Sequence, residues 1–245
     1  MKKIRLDKFL SNLGFGTRKE IKNFLKEGLI EVNDKVIKKP VHIDIETDTV
    51  KFDGETVEYK EYFYYMLNKP QGYITATKSK EHSTVMDLMY EEPIIDKLFP
   101  VGRLDIDTEG LLIITNDGQL AHRLTHPKWN VEKEYYAVVK GNISEKNLSI
   151  YEKEGLQLNK EEKTKPFRIE VIKTDNDKSQ IKITLTEGKY HIVKRIMEKL
   201  GHPVLYLKRI RIGSLKLDES LNSGEYRELT EEEVKQLKKL VNLED

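Results

Sequence analysis

Beyond residue 62 the apolar residues of this chain fall in short β-prone runs that are not regularly interleaved with helical stretches, and this arrangement narrows the choice of fold. Phe63-Tyr64-Tyr65-Met66-Leu67 is aromatic and β-prone, and Asn68-Lys69-Pro70-Gln71-Gly72 reads as the turn that stops it. Leu111 to Ile114 is a buried-strand run ended by Asn116-Asp117-Gly118. Ile181, Ile183 and Leu185 alternate with polar residues, as in a strand with one wet face, and Val204 to Ile212 reads as a further strand. Tyr190, Val193, Ile196, Met197 and Leu200 follow helical periodicity, with Gly201 as stop and Pro203 beyond. Thr230-Glu231-Glu232-Glu233 caps a closing helix. Strands that outnumber helices without alternating with them predict an α+β fold with a mostly antiparallel sheet.

The N-terminal stretch is built differently. Leu6, Phe9, Leu10 and Leu13 recur at helical spacing before Gly14, and Thr17-Arg18-Lys19-Glu20 is a capping box that opens a second helix. Ile21, Phe24 and Leu25 supply the apolar stripe of that helix, and Gly28 ends it. Arg18, Lys22 and Lys26, four residues apart, line its exposed face. Leu29 to Val32 and Val36 then flank an Asn33-Asp34 turn, with Lys35, Lys38 and Lys39 alongside. The chain holds 43 Lys and Arg against 42 Asp and Glu, so contact with a polyanion requires segregated charge. The charge is segregated: residues 1–41 carry 11 basic and 5 acidic side chains, residues 42–59 carry 1 and 6, and residues 186–213 carry 7 and 2. Two short helices and a hairpin with lysines on one side make a phosphate-binding surface.

Several chemistries are excluded. The chain has no cysteine, which removes disulfides, thiol nucleophiles, iron–sulfur clusters and cysteine zinc sites. No signal peptide is expected, and no stretch approaches the ~20 apolar residues of a membrane span, so a soluble cytoplasmic protein is expected. There is no phosphate-loop motif, no dinucleotide fingerprint, no HExxH and no GxSxG. His122 and His126 are four apart but lack an obvious third ligand, and no metal is expected. With 245 residues and a linker at Glu58-Tyr59-Lys60-Glu61, two domains are expected, residues 1–58 and 62–245.

One loop carries concentrated chemistry: Val101-Gly102-Arg103-Leu104-Asp105-Ile106-Asp107-Thr108-Glu109-Gly110-Leu111-Leu112. By itself it reads as an acidic turn, with Asp107 and Glu109 capping or facing solvent. A cofactor-free glycosidase or nuclease would instead use two of these carboxylates, about 5–9 Å apart.

GRLDIDTEGLLIITNDG resembles the signature of pseudouridine synthases, in which the aspartate after Gly-Arg-Leu is essential. Asn68-Lys69-Pro70-Gln71-Gly72, Glu132-Lys133-Glu134-Tyr135 and Glu187-Gly188-Lys189-Tyr190-His191-Ile192-Val193-Lys194-Arg195 agree with that family in order. The wording is most similar to the branch acting on small-subunit ribosomal RNA; Ile192 departs from it where a glutamine is expected. RLDKFLSNLGFGTRKEIKNFLKEGLIEVNDKVI, over roughly residues 3–50, resembles the S-four (alpha-L) RNA-binding domain. The resemblances imply that Asp105 is the catalytic carboxylate, Tyr135 packs on the uracil, Lys194 is the basic partner of Asp105, and Arg103 holds the RNA open. They imply RNA contact by Arg18, Lys19, Lys22 and Lys35, which grip folded RNA by backbone and shape.

The implied reaction isomerises uridine in place, gains no atoms and needs no cofactor. A lone carboxylate in an apolar pocket tends to neutralise, and Lys194 within ~4–6 Å would keep Asp105 charged. The implied partner is ribosomal RNA, a small-subunit precursor in the favoured reading, free or with ribosomal proteins bound. A large-subunit target and a non-catalytic ribosome-assembly factor are the alternatives. No long exposed apolar pattern demands a dimer, so a monomer is expected.

Overall fold

A computed structural model describes residues 2–146 and 148–243. The chain divides into two compact units, Met1–Phe63 with Tyr90–Lys97 and Tyr64–Met89 with Leu98–Asp245.

The first unit runs β1 (Lys3–Arg5), α1 (Leu6–Asn12), α2 (Arg18–Glu27), β2 (Ile30–Val32), β3 (Lys35–Val36), β4 (His42–Asp44), β5 (Val50–Phe52) and β6 (Glu55–Val57). Helix α2 starts where its capping box places it: the Glu20 N–H donates to Thr17 Oγ1 at 3.3 Å and the Thr17 N–H to Glu20 Oε2 at 2.7 Å. It stops at Gly28, whose φ of +81° is left-handed. Asn33 and Asp34 both adopt positive φ, the two-residue turn that suits the right-handed twist of the β2–β3 hairpin. Strands β3-β2-β5-β6 form an antiparallel sheet and β1 pairs with β4. Leu6, Phe9, Leu10, Ile21, Leu25 and Ile43 fill the core, which turns Arg18, Lys19, Lys22 and Lys35 outward to solvent.

The second unit contains β7 (Tyr64–Lys69), β8 (Phe99–Pro100), β9 (Glu109–Thr115), α3 (Gly118–Thr125), β10 (Lys133–Lys140), α4 (Ser149–Glu154), β11 (Phe167–Asp175), β12 (Lys178–Leu185), α5 (Ile192–Lys199), β13 (Val204–Ile212), β14 (Leu215–Lys216), β15 (Tyr226–Glu228) and α6 (Glu231–Leu240). Its sheet has the order β11-β12-β10-β13-β9-β7-β15, with β14 added to β13 and β8 to β9. Of the named strands only β9 and β13 pair in parallel; the fold is α+β and mostly antiparallel, as the strand-rich pattern predicts. Gly110 permits the parallel pairing: its φ is +101°, and a Cβ there would lie 2.2 Å from the Arg209 carbonyl oxygen. Residues of β7, β9, α3 and α6, among them Met66, Leu111, Ile113, Leu120, Leu124 and Leu237, share one apolar core. Among the described residues no helix is long and apolar enough to cross a membrane.

Two local expectations are corrected. Asn68 and Lys69 do not open a turn; they continue β7, opposite Leu111 and Gly110. Tyr190 is not on the helix, because His191 has φ +48° and α5 begins only at Ile192. Tyr190 is 76% exposed.

Candidate active site

The loop between Arg103 and Glu109 is held from beneath by a lysine that sequence reasoning treated as part of a turn. Lys69 is fully buried at the end of β7. Its ammonium donates to the carbonyls of Pro70 at 2.9 Å, Asp105 at 3.1 Å and Thr108 at 2.9 Å, using its three protons. Burial pushes the Lys69 pKa down to about 8, against the pull of Asp107, Asp105 and Glu109. The Gly72 N–H donates to the Ile106 carbonyl at 2.8 Å. Thr75 Oγ1 donates to the Leu104 carbonyl at 2.8 Å and accepts from the Leu104 N–H at 3.1 Å. Backbone groups that would otherwise need water are thus satisfied by the protein, and the Asp105 Cα is fixed.

On this loop the Asp105 side chain is 31% exposed. Its Oδ2 lies 3.3 Å from Lys194 Nζ and its Oδ1 3.4 Å from His191 Nε2. Lys194 comes from the first turn of α5 and His191 from the residue just before it, a segment that the fold carries to the loop from almost ninety residues downstream. Asp107 is a correction to the sequence reading: its carboxylate does not merely face solvent but accepts from Lys194 Nζ at 2.6 Å, shorter than the contact to Asp105. Burial opposes the charge on Lys194, and Asp107 and Asp105 together outweigh it, so its pKa is raised. The Lys194 hydrogen bond in turn lowers the Asp107 pKa against partial burial. Glu109 is also engaged, accepting from Tyr206 Oη at 2.6 Å.

Asp105, Tyr135, Lys194 and Arg103 all line one pocket. Arg103 is exposed at the same pocket, whereas Tyr135, on β10, is 7% exposed. Register places Tyr135 opposite Ile183 of β12 and Arg209 of β13. Ile192 is buried in the pocket wall and supplies apolar surface where a glutamine was expected. The RNA-contact candidates Arg18, Lys19, Lys22 and Lys35 belong to the other unit and do not line this pocket.

Two buried cations among those lining the pocket, Lys133 and Arg209, escaped sequence reasoning. Lys133 donates to the Val131 carbonyl at 2.9 Å, and burial, aided by the charges of Arg209 and Lys165, pushes its pKa down to about 8. Arg209 is 3% exposed and donates through Nε to the Leu111 carbonyl at 2.8 Å. Each stands two residues along its strand from another residue that lines the pocket (Tyr135 and Leu207), and that alternation was the available signal. Charged side chains in strands are ordinarily read as solvent-facing, which is why it was passed over. The arrangement can hold a flat ring against Tyr135 with a carboxylate and its counter-cation at hand.

The comparisons with known proteins identify the family of both parts of the chain. A family model described as RNA pseudouridylate synthase matches residues 63–199, and an S4 domain model matches residues 4–43. The chain is 46% identical to the uncharacterized RNA pseudouridine synthase YtzG of Bacillus subtilis, over 94% of this chain and 97% of that protein. It is 38% identical to the ribosomal small subunit pseudouridine synthase A of Salmonella typhimurium, over 94% and 98% of the two chains. A crystal structure of a pseudouridylate synthase superposes with a TM-score of 0.65 at 36% identity, covering 96% of this chain and 99% of that one. The chain therefore belongs to the RNA pseudouridine synthase family, isomerases of uridine in RNA, and carries an S4 domain ahead of the family's catalytic fold.

Proposed function

We propose that this enzyme converts a uridine of small-subunit ribosomal RNA to pseudouridine, with Asp105 as the reacting carboxylate. The observation that carries the reading is the Asp105–Lys194 contact of 3.3 Å in a pocket that also holds Tyr135. The choice of the small subunit rests on the relatives of that name in Salmonella typhimurium and Escherichia coli, at 38% and 37% identity over 94% of this chain.

In the reaction the bond from uracil N1 to ribose C1′ breaks, the base turns, and C5 bonds to C1′. The proton lost from C5 is balanced by one gained at N1. Asp105 can serve as nucleophile or as base, and in both roles Lys194 stands beside the reacting carboxylate. The target nucleotide must leave its stack, at a few kcal/mol. Stacking on Tyr135 returns roughly 1–3 kcal/mol of that. Arg103 holds the emptied RNA site, and Arg18, Lys19, Lys22 and Lys35 supply sequence-independent contacts to phosphates.

The test is pseudouridine mapping of both ribosomal RNAs in cells with and without the gene, complemented by wild type or Asp105→Asn. One small-subunit position should lose its pseudouridine on deletion and regain it only with wild type. A lost position in the large subunit moves the target there. Restoration by Asp105→Asn removes Asp105 from the chemistry, and an unchanged map leaves an RNA-binding assembly factor.

A further inference from the structure

The chemistry just described leaves two buried cations of the pocket without a task. Arg209 spends its Nε on the Leu111 carbonyl, but its Nη2, also buried, has no hydrogen-bond partner among the described residues. Thr108 Oγ1, buried in the same pocket wall, has none either. Lys133 donates to a single backbone carbonyl, and neither it nor Arg209 has an ion-pair partner among the described residues. Taking an unpaired guanidinium and an ammonium out of water is strongly unfavourable. Buried donors without acceptors are rare enough in folded proteins that each one needs an explanation. The depressed pKa of Lys133 has the same origin: burial takes its ammonium out of water, and the charges of Arg209 and Lys165 add to the effect.

What these groups lack is an acceptor that carries negative charge. Resting on the proposed function, which puts a uracil in this pocket, we infer that Arg209 and Lys133 bind the carbonyl oxygens of the target base and hold the negative charge it acquires while detached. When the C1′–N1 bond breaks, its electron pair passes to the base and spreads from N1 to O2 and O4. When C5 bonds to C1′, the C5 proton leaves, N1 takes up a proton, and the base is neutral again. The two cations therefore stabilise the base more strongly during the interval between bonds than before or after it, which is the condition for accelerating the step. The same wall selects the base. Guanidinium and ammonium are donors only, and cytosine presents an amino donor where uracil presents O4.

Full-length Lys133→Met and Arg209→Met test this by single-turnover pseudouridine formation with enzyme in excess, on the ribosomal RNA transcript that the wild type modifies. RNA affinity is measured alongside. Single-turnover rates report folded enzyme only, so partial misfolding does not mimic the effect. The expected result is a rate constant 10²- to 10³-fold lower, the loss seen when one donor to a developing anion is removed, with RNA affinity within threefold of wild type. If Arg209→Met does not fold, Lys133→Met decides. A folded Lys133→Met enzyme with a rate within threefold of wild type overturns the inference. So does a defect confined to RNA affinity, which would make these cations phosphate contacts. Asp105→Asn run in parallel separates the two proposals: its retained turnover would sink the proposed chemistry, whereas loss in Asp105→Asn with normal turnover in Lys133→Met sinks this inference alone.

Discussion

The ammonium of Lys69 is fully buried and donates to the backbone carbonyl of Asp105 at 3.1 Å, so the residue proposed to react is positioned through its main chain by a lysine 36 positions earlier. Lys69→Met nearly preserves shape but leaves the carbonyls of Pro70, Asp105 and Thr108 without that donor. Unsatisfied buried acceptors cost about 1–3 kcal/mol each, offset in part because a buried charge is also removed. The expected net loss is about 2 kcal/mol in urea unfolding, with turnover down about 10²-fold from displacement of the carboxylate. Full activity in this variant would show that the loop is held by Gly72 and Thr75 alone.

Lys194 is shared between two carboxylates, and the nearer is not the one proposed to react. Lys194→Met should lower turnover by about 10²-fold or more, since it strips the counter-charge from Asp105. Asp107→Asn should change turnover by less than about threefold and stability by less than about 1 kcal/mol, because the Asp107 side chain is 61% exposed. The opposite ranking in a steady-state assay would identify Asp107 as the functional acid.

In the S4 unit, replacing Arg18, Lys19 and Lys22 with glutamine should weaken RNA binding and flatten its salt dependence. Each phosphate contact removed should reduce the slope of log K against log salt by about 0.7–0.9. Turnover at saturating RNA should be unchanged. Filter-binding titrations at several salt concentrations read the slope, and an unaltered slope would mean that this helix face is only solvated.

The depressed pKa of Lys133 predicts a pH dependence of stability. Below pH 8 the lysine is protonated in both folded and unfolded chains, and the penalty for burying its charge is fully present. Between its folded value of about 8 and the unfolded value of 10.5, the folded protein sheds a proton that the unfolded chain keeps. Stability contributed by this site therefore rises with pH across that window. The stability of wild type relative to Lys133→Met should increase between pH 7.5 and pH 10 in urea melts. A constant difference would place the ammonium in solvent.

Much of this protein was legible in its sequence because local rules dominate there. The Thr17 and Thr230 capping boxes, the left-handed Gly28, the Asn33-Asp34 hairpin and the strand Val204–Ile212 each follow from interactions among residues a few positions apart. The Gly-Arg-Leu-Asp loop was likewise visible as a motif, and Asp105, Tyr135 and Lys194 do meet in one pocket. What could not be read was the environment of charged side chains. In sequence Lys69, Lys133 and Arg209 look like solvent-facing residues, and Asp107 like a turn residue. Their burial and partners depend on the pairing of β7 with β9 and of β13 with both β9 and β10, set by contacts across tens of residues. The sequence alone was enough for the capped helices, the hairpin and the strand-rich α+β class, since those depend on periodicity and caps. Tertiary structure alone decided which cations lose their water and what they face, because desolvation is a property of everything packed around a group rather than of its neighbours along the chain.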